Sequence, residues 1–142
     1  MAETVKREVE FLNEAASLSE IRAFVEEVFR SAQIAPETAK LVVLAVDEAV
    51  TSIIRHANED RRNGFISISI DIDDVRIRTV ISDSGSLFDP GNLSKEELLG
   101  FIEGRRNLEM GIFLIRQIVD EVEYVFRKGF ENQLILTKFL YQ

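Results

Sequence analysis

Two runs of alternating residues lie back to back in the middle of this chain, and they restrict its fold more than any other feature. Phe65, Ile66, Ile68, Ile70 and Ile72 interleave with Ser67, Ser69 and Asp71, and then Val75, Ile77, Thr79 and Ile81 alternate with charged or polar residues. A period of two marks a strand with one buried face. Asp73-Asp74 separates the runs, so together they predict a hairpin. Its apolar face must be covered by another layer.

The cover is legible upstream. Ser17 has Glu20 three residues later, a capping-box pattern, and behind it Ile21, Phe24, Val25, Val28 and Phe29 recur at helical spacing. This predicts a first helix ending near Gln33. Pro36 suits the first turn of a second helix, in which Leu41, Leu44, Ala45, Glu48, Ala49, Ser52, Ile53 and His56 fall at steps of three and four, ending near Ala57. Residues 5–11 alternate and read as a leading strand, with Val5, Val9 and Phe11 on one face. Beyond the break at Asp83-Ser84-Gly85-Ser86, residues 93–101 read as a short helix capped by Ser94 with Glu97. Residues 104–109 read as a loop and 110–119 as a helix, and 124–126 with 133–140 read as a closing hairpin about Lys128-Gly129.

Helices do not alternate strictly with single strands, which disfavours a doubly wound parallel sheet. The expected class is α+β: a two-layer α/β sandwich with a mostly antiparallel, mixed sheet covered on one face by helices. At 142 residues, with no repeat or linker, one domain spanning 1–142 is expected.

The charge balance narrows the partners. With 25 acidic against 17 basic side chains the net charge is -8, which disfavours direct binding to a nucleic-acid backbone and favours protein partners. The chain has no cysteine, so disulfides, zinc–thiolate sites and cysteine nucleophiles are excluded. No apolar stretch reaches the ~18 residues of a membrane helix, and the N-terminus is charged without an apolar signal core. A soluble, cytoplasmic protein is the expectation.

The second helix carries the most informative motif, Asp47-Glu48-Ala49-Val50-Thr51-Ser52-Ile53-Ile54-Arg55-His56-Ala57. Glu48, Ser52 and His56 are four apart and share a helix face that also carries apolar residues. Such a polar stripe needs hydrogen-bond partners or a ligand. Read without further context, it is equally the wet edge of an ordinary helix. Downstream, Val80-Ile81-Ser82-Asp83-Ser84-Gly85 is a strand running into a turn, a common arrangement by itself.

Together these segments resemble the ATP-binding domains of the Bergerat type found in gyrase and histidine kinases. They look most like the anti-sigma-factor serine kinases, whose helix motif runs Glu-Ala-x-x-Asn-x-x-x-His-Ala or Gly. Every fixed position is matched except the Asn, which is Ser52 here. The resemblance implies that Glu48 is the general base, that Ser52 stands where the family has its Mg²⁺ ligand, and that Asp83 accepts a hydrogen bond from the adenine amino group while Gly85 lets the backbone approach the base. An ionised Asp is acceptor-only and so suits an N–H₂ donor.

Further on, Gly111 and the apolar residues after it are similar to the end of the family's glycine-rich lid and its following helix, as is Asp120-Glu121-Val122. Leu108 and Glu109 stand where glycines are expected, and Glu109 puts a negative charge where the triphosphate would lie. Arg105 and Arg106 offer compensation for phosphate, or are solvated loop residues. Glu131-Asn132-Gln133 replaces a Gly-Thr common in relatives, whereas Thr137-Lys138-Phe139-Leu140 is similar to the family's closing strand.

Carried over, the expected function is an anti-sigma regulator that binds ATP and Mg²⁺ and phosphorylates a serine of a small antagonist protein. A sigma factor is a further partner, and a homodimer is the working form. The alternative is a module of the same fold that has lost catalysis and acts through protein contacts. Ser52, Leu108 and Glu109 argue for that alternative.

Overall fold

A computed structural model describes residues 4–59, 64–83, 115–125 and 132–140. Strand β1 (Val5–Leu12) leads through a 3-10 turn (Ala15–Ser17) into helix α1 (Leu18–Ser31) and helix α2 (Pro36–Glu59). Strands β2 (Phe65–Ile72) and β3 (Arg76–Asp83) follow, and β4 (Glu121–Val125) and β5 (Asn132–Phe139) close the sheet. The spatial order is β1-β2-β3-β5-β4, and all four pairings are antiparallel, so among the described residues the sheet is antiparallel throughout rather than mixed.

The alternation read in β2 and β3 is what the packing uses. The register pairs Ile68 with Ile81, Ile70 with Thr79 and Ile72 with Ile77, so these side chains share one face. Leu134 and Leu136 of β5 and Val122 of β4 extend the face across the sheet. Against it lie Ile21, Val25, Val28 and Phe29 of α1, and Val42, Ala45, Val46, Ala49, Val50 and Ile54 of α2. Burying each large aliphatic side chain contributes about 1.5–3 kcal/mol, and this layer supplies most of the driving force for folding. The opposite face is not bare: Ser82, Ile135 and Thr137, on β3 and β5, are buried as well.

The capping box expected at Ser17 does not form. An N-cap needs an extended backbone to aim its side chain at the first free N–H groups. Ser17 closes the 3-10 turn, so its backbone is already helical (φ -77, ψ -15), and no side-chain cap bond is made. The other end of α1 is a Schellman motif. The N–H of Ile34 donates to Phe29 O and that of Gln33 to Arg30 O, with Gln33 in the left-handed region at φ 59.

The β2–β3 hairpin turns through Asp74 and Val75. Asp73 holds it, its Oδ1 accepting from the N–H of Val75 at 2.8 Å and of Arg76 at 2.9 Å. Residues 115–118 form a helical turn, the described part of the helix expected over 110–119. The expected helix at 93–101, the loop at 104–109 and the turn at Lys128-Gly129 lie outside the described residues. Asp120, just before β4, ties the last pair together. Its Oδ2 accepts from the N–H of Phe139 at 2.7 Å and stands 3.6 Å from the Lys138 ammonium.

Candidate functional site

The two carboxylates singled out in the sequence come from the two layers of the fold. Asp83 is the last residue of β3. Its register partners are Ile66 on one side and Asn132 on the other, and Ile66 in turn faces Phe11. Asp83 therefore stands on the same face of the sheet as Ile66, Ile68 and Ile81, the face that packs on the helices. Ile66 and Ile81 are fully buried, whereas Asp83 is half-buried and has polar partners. The apolar row ends there in an acceptor.

Glu48 comes from the other layer. The buried positions of α2 define its inner face, and Glu48 lies on a flank of the helix, half-buried and with polar partners of its own. Leu41 and Leu44 share that flank, two turns and one turn earlier, and both are about half exposed. Ser52 and His56 continue the flank one and two turns later. For these two the structure describes the helical backbone alone.

Glu48 and Asp83 thus lie on the helix side of the sheet, one on the covering helix and one at a strand end. The Mg²⁺ role expected of Ser52 concerns a side chain outside the described atoms. Gly85, Arg105, Arg106 and Gly111 lie outside the described residues, as do Leu108 and Glu109.

One pair was not legible in the sequence. Arg22 of α1 reaches Asp47, the residue before Glu48. Its Nε donates to Asp47 Oδ2 at 2.7 Å, and its terminal nitrogen is 2.7 Å from the same oxygen. The ion pair joins α1 to α2 beside the candidate base. With Arg22 half exposed, its worth to stability is at most about 1 kcal/mol. It ties α1 to the helix turn that carries Glu48. A separation of 25 residues in sequence gives no pattern by which to find it.

This donor set suits a purine nucleotide. A base needs an apolar wall and an acceptor for its exocyclic N–H₂, and the Ile66–Asp83 row ends in that combination. Among the described residues, no helix is long and apolar enough to cross a membrane.

Comparison with known proteins agrees with this reading of the fold. The profile of the histidine kinase-like ATPase domain matches residues 11–138. The chain is 33% identical over 123 residues to the serine-protein kinase RsbW of Staphylococcus aureus strain bovine RF122 / ET3-1, covering 81% of this chain and 76% of that protein. The RsbW of strain JH9 is similar to the same extent.

Among solved structures, the RsbU and RsbW domains of Rv1364c from Mycobacterium tuberculosis superpose with a TM-score of 0.67 at 15% identity. That match covers 95% of this chain and 32% of the other, so the chain spans about a third of that protein. A chain of the SiaB-SiaC complex from Pseudomonas aeruginosa superposes with a TM-score of 0.64 at 16% identity, covering 91% of this chain and 88% of that one. A carboxylate-bearing helix laid over an antiparallel sheet, an aspartate at the end of the central strand, and a match over most of the chain lead to one conclusion: this protein belongs to the histidine kinase-like ATPase family, among relatives of the RsbW serine-protein kinases.

Proposed function

We propose that this protein is an ATP-dependent protein serine kinase of the anti-sigma type, which phosphorylates a small antagonist protein and works as a homodimer. The observation that carries the reading is the register that turns Asp83 onto the helix side of the sheet, in the layer where α2 presents Glu48. The similarity to RsbW serine-protein kinases supports the same chemistry.

ATP, as the substrate, supplies the γ-phosphoryl group, with Mg²⁺ to neutralise its charge. Asp83 accepts a hydrogen bond from the adenine amino group, and Gly85 allows the backbone close to the ring. Glu48 takes the proton from the attacking serine hydroxyl. Ser52, one turn on, would hold Mg²⁺ through its short hydroxyl side chain. Gly111 and Arg105 serve the phosphates. Leu41 and Leu44 give the flank beside Glu48 an apolar surface on which an acceptor protein can rest. A sigma factor is the second partner, held when the antagonist is phosphorylated, and the site of action is the cytoplasm.

The test is Glu48→Ala, read by titration calorimetry and by phosphate transfer to the antagonist. Transfer is lost while ATP affinity is kept. Transfer that survives the substitution removes Glu48 as the base, and absence of ATP binding by the unaltered protein at millimolar concentration leaves the non-catalytic module as the reading.

A further inference from the structure

We propose that Arg22 is a positioning residue for Glu48: seated on α1, it grips Asp47 and so sets the turn of α2 that carries the base. The inference rests on the kinase reading above for its catalytic meaning.

The brace begins at the sheet. The ring of Phe24 on α1 meets that of Phe11 on β1 edge to face, with centroids 5.9 Å apart. Ile21 and Val25, which flank Arg22 along α1, are fully buried. The helix is thus anchored where Arg22 leaves it. Glu26 stands one turn along the same helix, the usual spacing for a partner. Arg22 reaches instead across to α2, where its Nε and a terminal nitrogen close on a single oxygen of Asp47, each at 2.7 Å. The Asp47 side chain is 19% exposed against 52% for Arg22, so the carboxylate end of the pair is the one withdrawn from water. A planar guanidinium with two nitrogens on one acceptor also fixes direction.

The remaining contacts of α2 at this level supply little direction. Its buried face there is Ala45, Val46, Ala49 and Val50, all small and apolar, and apolar burial is non-directional. Successive residues of an α-helix are roughly 100° apart around the axis and about 1.5 Å apart along it. A hold on Asp47 from the α1 side therefore sets where Glu48 stands on the next flank. A general base must come within hydrogen-bond reach of the proton it takes, and a misplacement of about 1 Å costs up to roughly 100-fold in rate. Stability responds far less, because a half-exposed pair is worth little to folding. Loss of rate without loss of stability is what separates positioning from simple support.

The experiment uses the full chain with Arg22→Gln, Arg22→Lys, Asp47→Asn and the double variant Arg22→Gln with Asp47→Asn. Arg30→Gln is the control, since the ion pair of Arg30 with Glu27, at 2.8 Å, stays within α1. The probe is ATP with Mg²⁺, water serving as acceptor in place of the serine hydroxyl. The water oxygen bonds to the γ-phosphorus, the bond to the β–γ bridging oxygen breaks, ADP leaves, and Glu48 takes the proton. Phosphate release, ATP affinity by calorimetry, the urea midpoint and amide hydrogen exchange over residues 48–52 are measured together. Arg22→Gln and Asp47→Asn each lower kcat roughly tenfold, with ATP affinity and urea midpoint kept, and amide exchange at 48–52 quickens roughly threefold. The double variant loses no more than either single one, because both act through one pair. Arg22→Lys keeps the charge with one nitrogen and recovers part of kcat. Arg30→Gln changes nothing.

Unchanged amide exchange in both single variants overturns the inference, whether or not phosphate is released to water. So do losses that add in the double variant, or a kcat that falls only in step with the urea midpoint. An unaltered protein that binds no ATP at millimolar concentration overturns the kinase reading instead, and the amide exchange then still decides whether Arg22 holds the turn.

Discussion

Asp83→Asn separates a base-reading carboxylate from a merely structural one. The substitution keeps size and shape but replaces an acceptor-only group with one that also donates. Asp83 is half-buried at the end of a row whose neighbours Ile66 and Ile81 are fully buried, so a bond from it to the adenine, as proposed above, would be made on the helix side of the sheet beside that dry row. A hydrogen bond to a charged group contributes about 1.5–3 kcal/mol, more in dry surroundings than in wet ones. Losing most of it weakens ATP binding by about 10- to 150-fold, at 1.36 kcal/mol for each factor of ten.

Inosine triphosphate carries a 6-oxo group, an acceptor, in place of the 6-amino donor. The amide that Asp83→Asn introduces can donate to it, so the variant's affinity for inosine triphosphate rises while that for ATP falls. Titration calorimetry with both nucleotides on both proteins reads the exchange. An equal loss for the two nucleotides, or no loss, refutes the assignment, because a general distortion of the strand end cannot invert the preference.

Three further outcomes follow from the fold. Thr79 is fully buried between Ile77 and Ile81, and its Oγ1 has no hydrogen-bond partner among the described residues, so Thr79→Val stabilises the protein by about 1–2 kcal/mol in urea unfolding. Gln33→Gly relieves left-handed strain of about 1–2 kcal/mol at the end of α1 against a backbone-entropy cost of about 0.5–1 kcal/mol, a net gain of roughly 0.5–1 kcal/mol by the same measurement. The backbone N–H groups of Val75 and Arg76 hold the Asp73 carboxyl below its ordinary 3.8. Its contribution is therefore complete above 3.8 and is lost as pH falls from there through the lower folded value. The stability gap between the unaltered protein and Asp73→Ala, followed across the acid range, stays constant at neutral pH and narrows only below that point.

How much was legible beforehand differs between elements. The alternation at Ile66, Ile68, Ile70 and Ile72 and the helical spacing from Ile21 to Phe29 are local patterns, and burial in the structure follows them, with Phe24 only partly buried. At Ser17 the motif was present but the cap was not, because a 3-10 turn had already fixed the backbone that a cap must leave extended. Arg22 with Asp47 could not be read at all, since two charges 25 residues apart meet only when α1 and α2 pack.

Order along the chain was enough to set the periodicities, the acidic charge, and the presence of a glutamate on the second helix and an aspartate at a strand end. Period fixes which side chains share a face of one element, and that information is carried by neighbouring residues. Packing settled which faces meet: Asp83 turns toward the helices because β2 and β5 pair with β3 in one register, and a shift of a single residue would send it to the other side. Packing also put β1 at the rim of the sheet, paired among the described residues with β2 alone, because strand order depends on pairings between distant segments that no local pattern encodes.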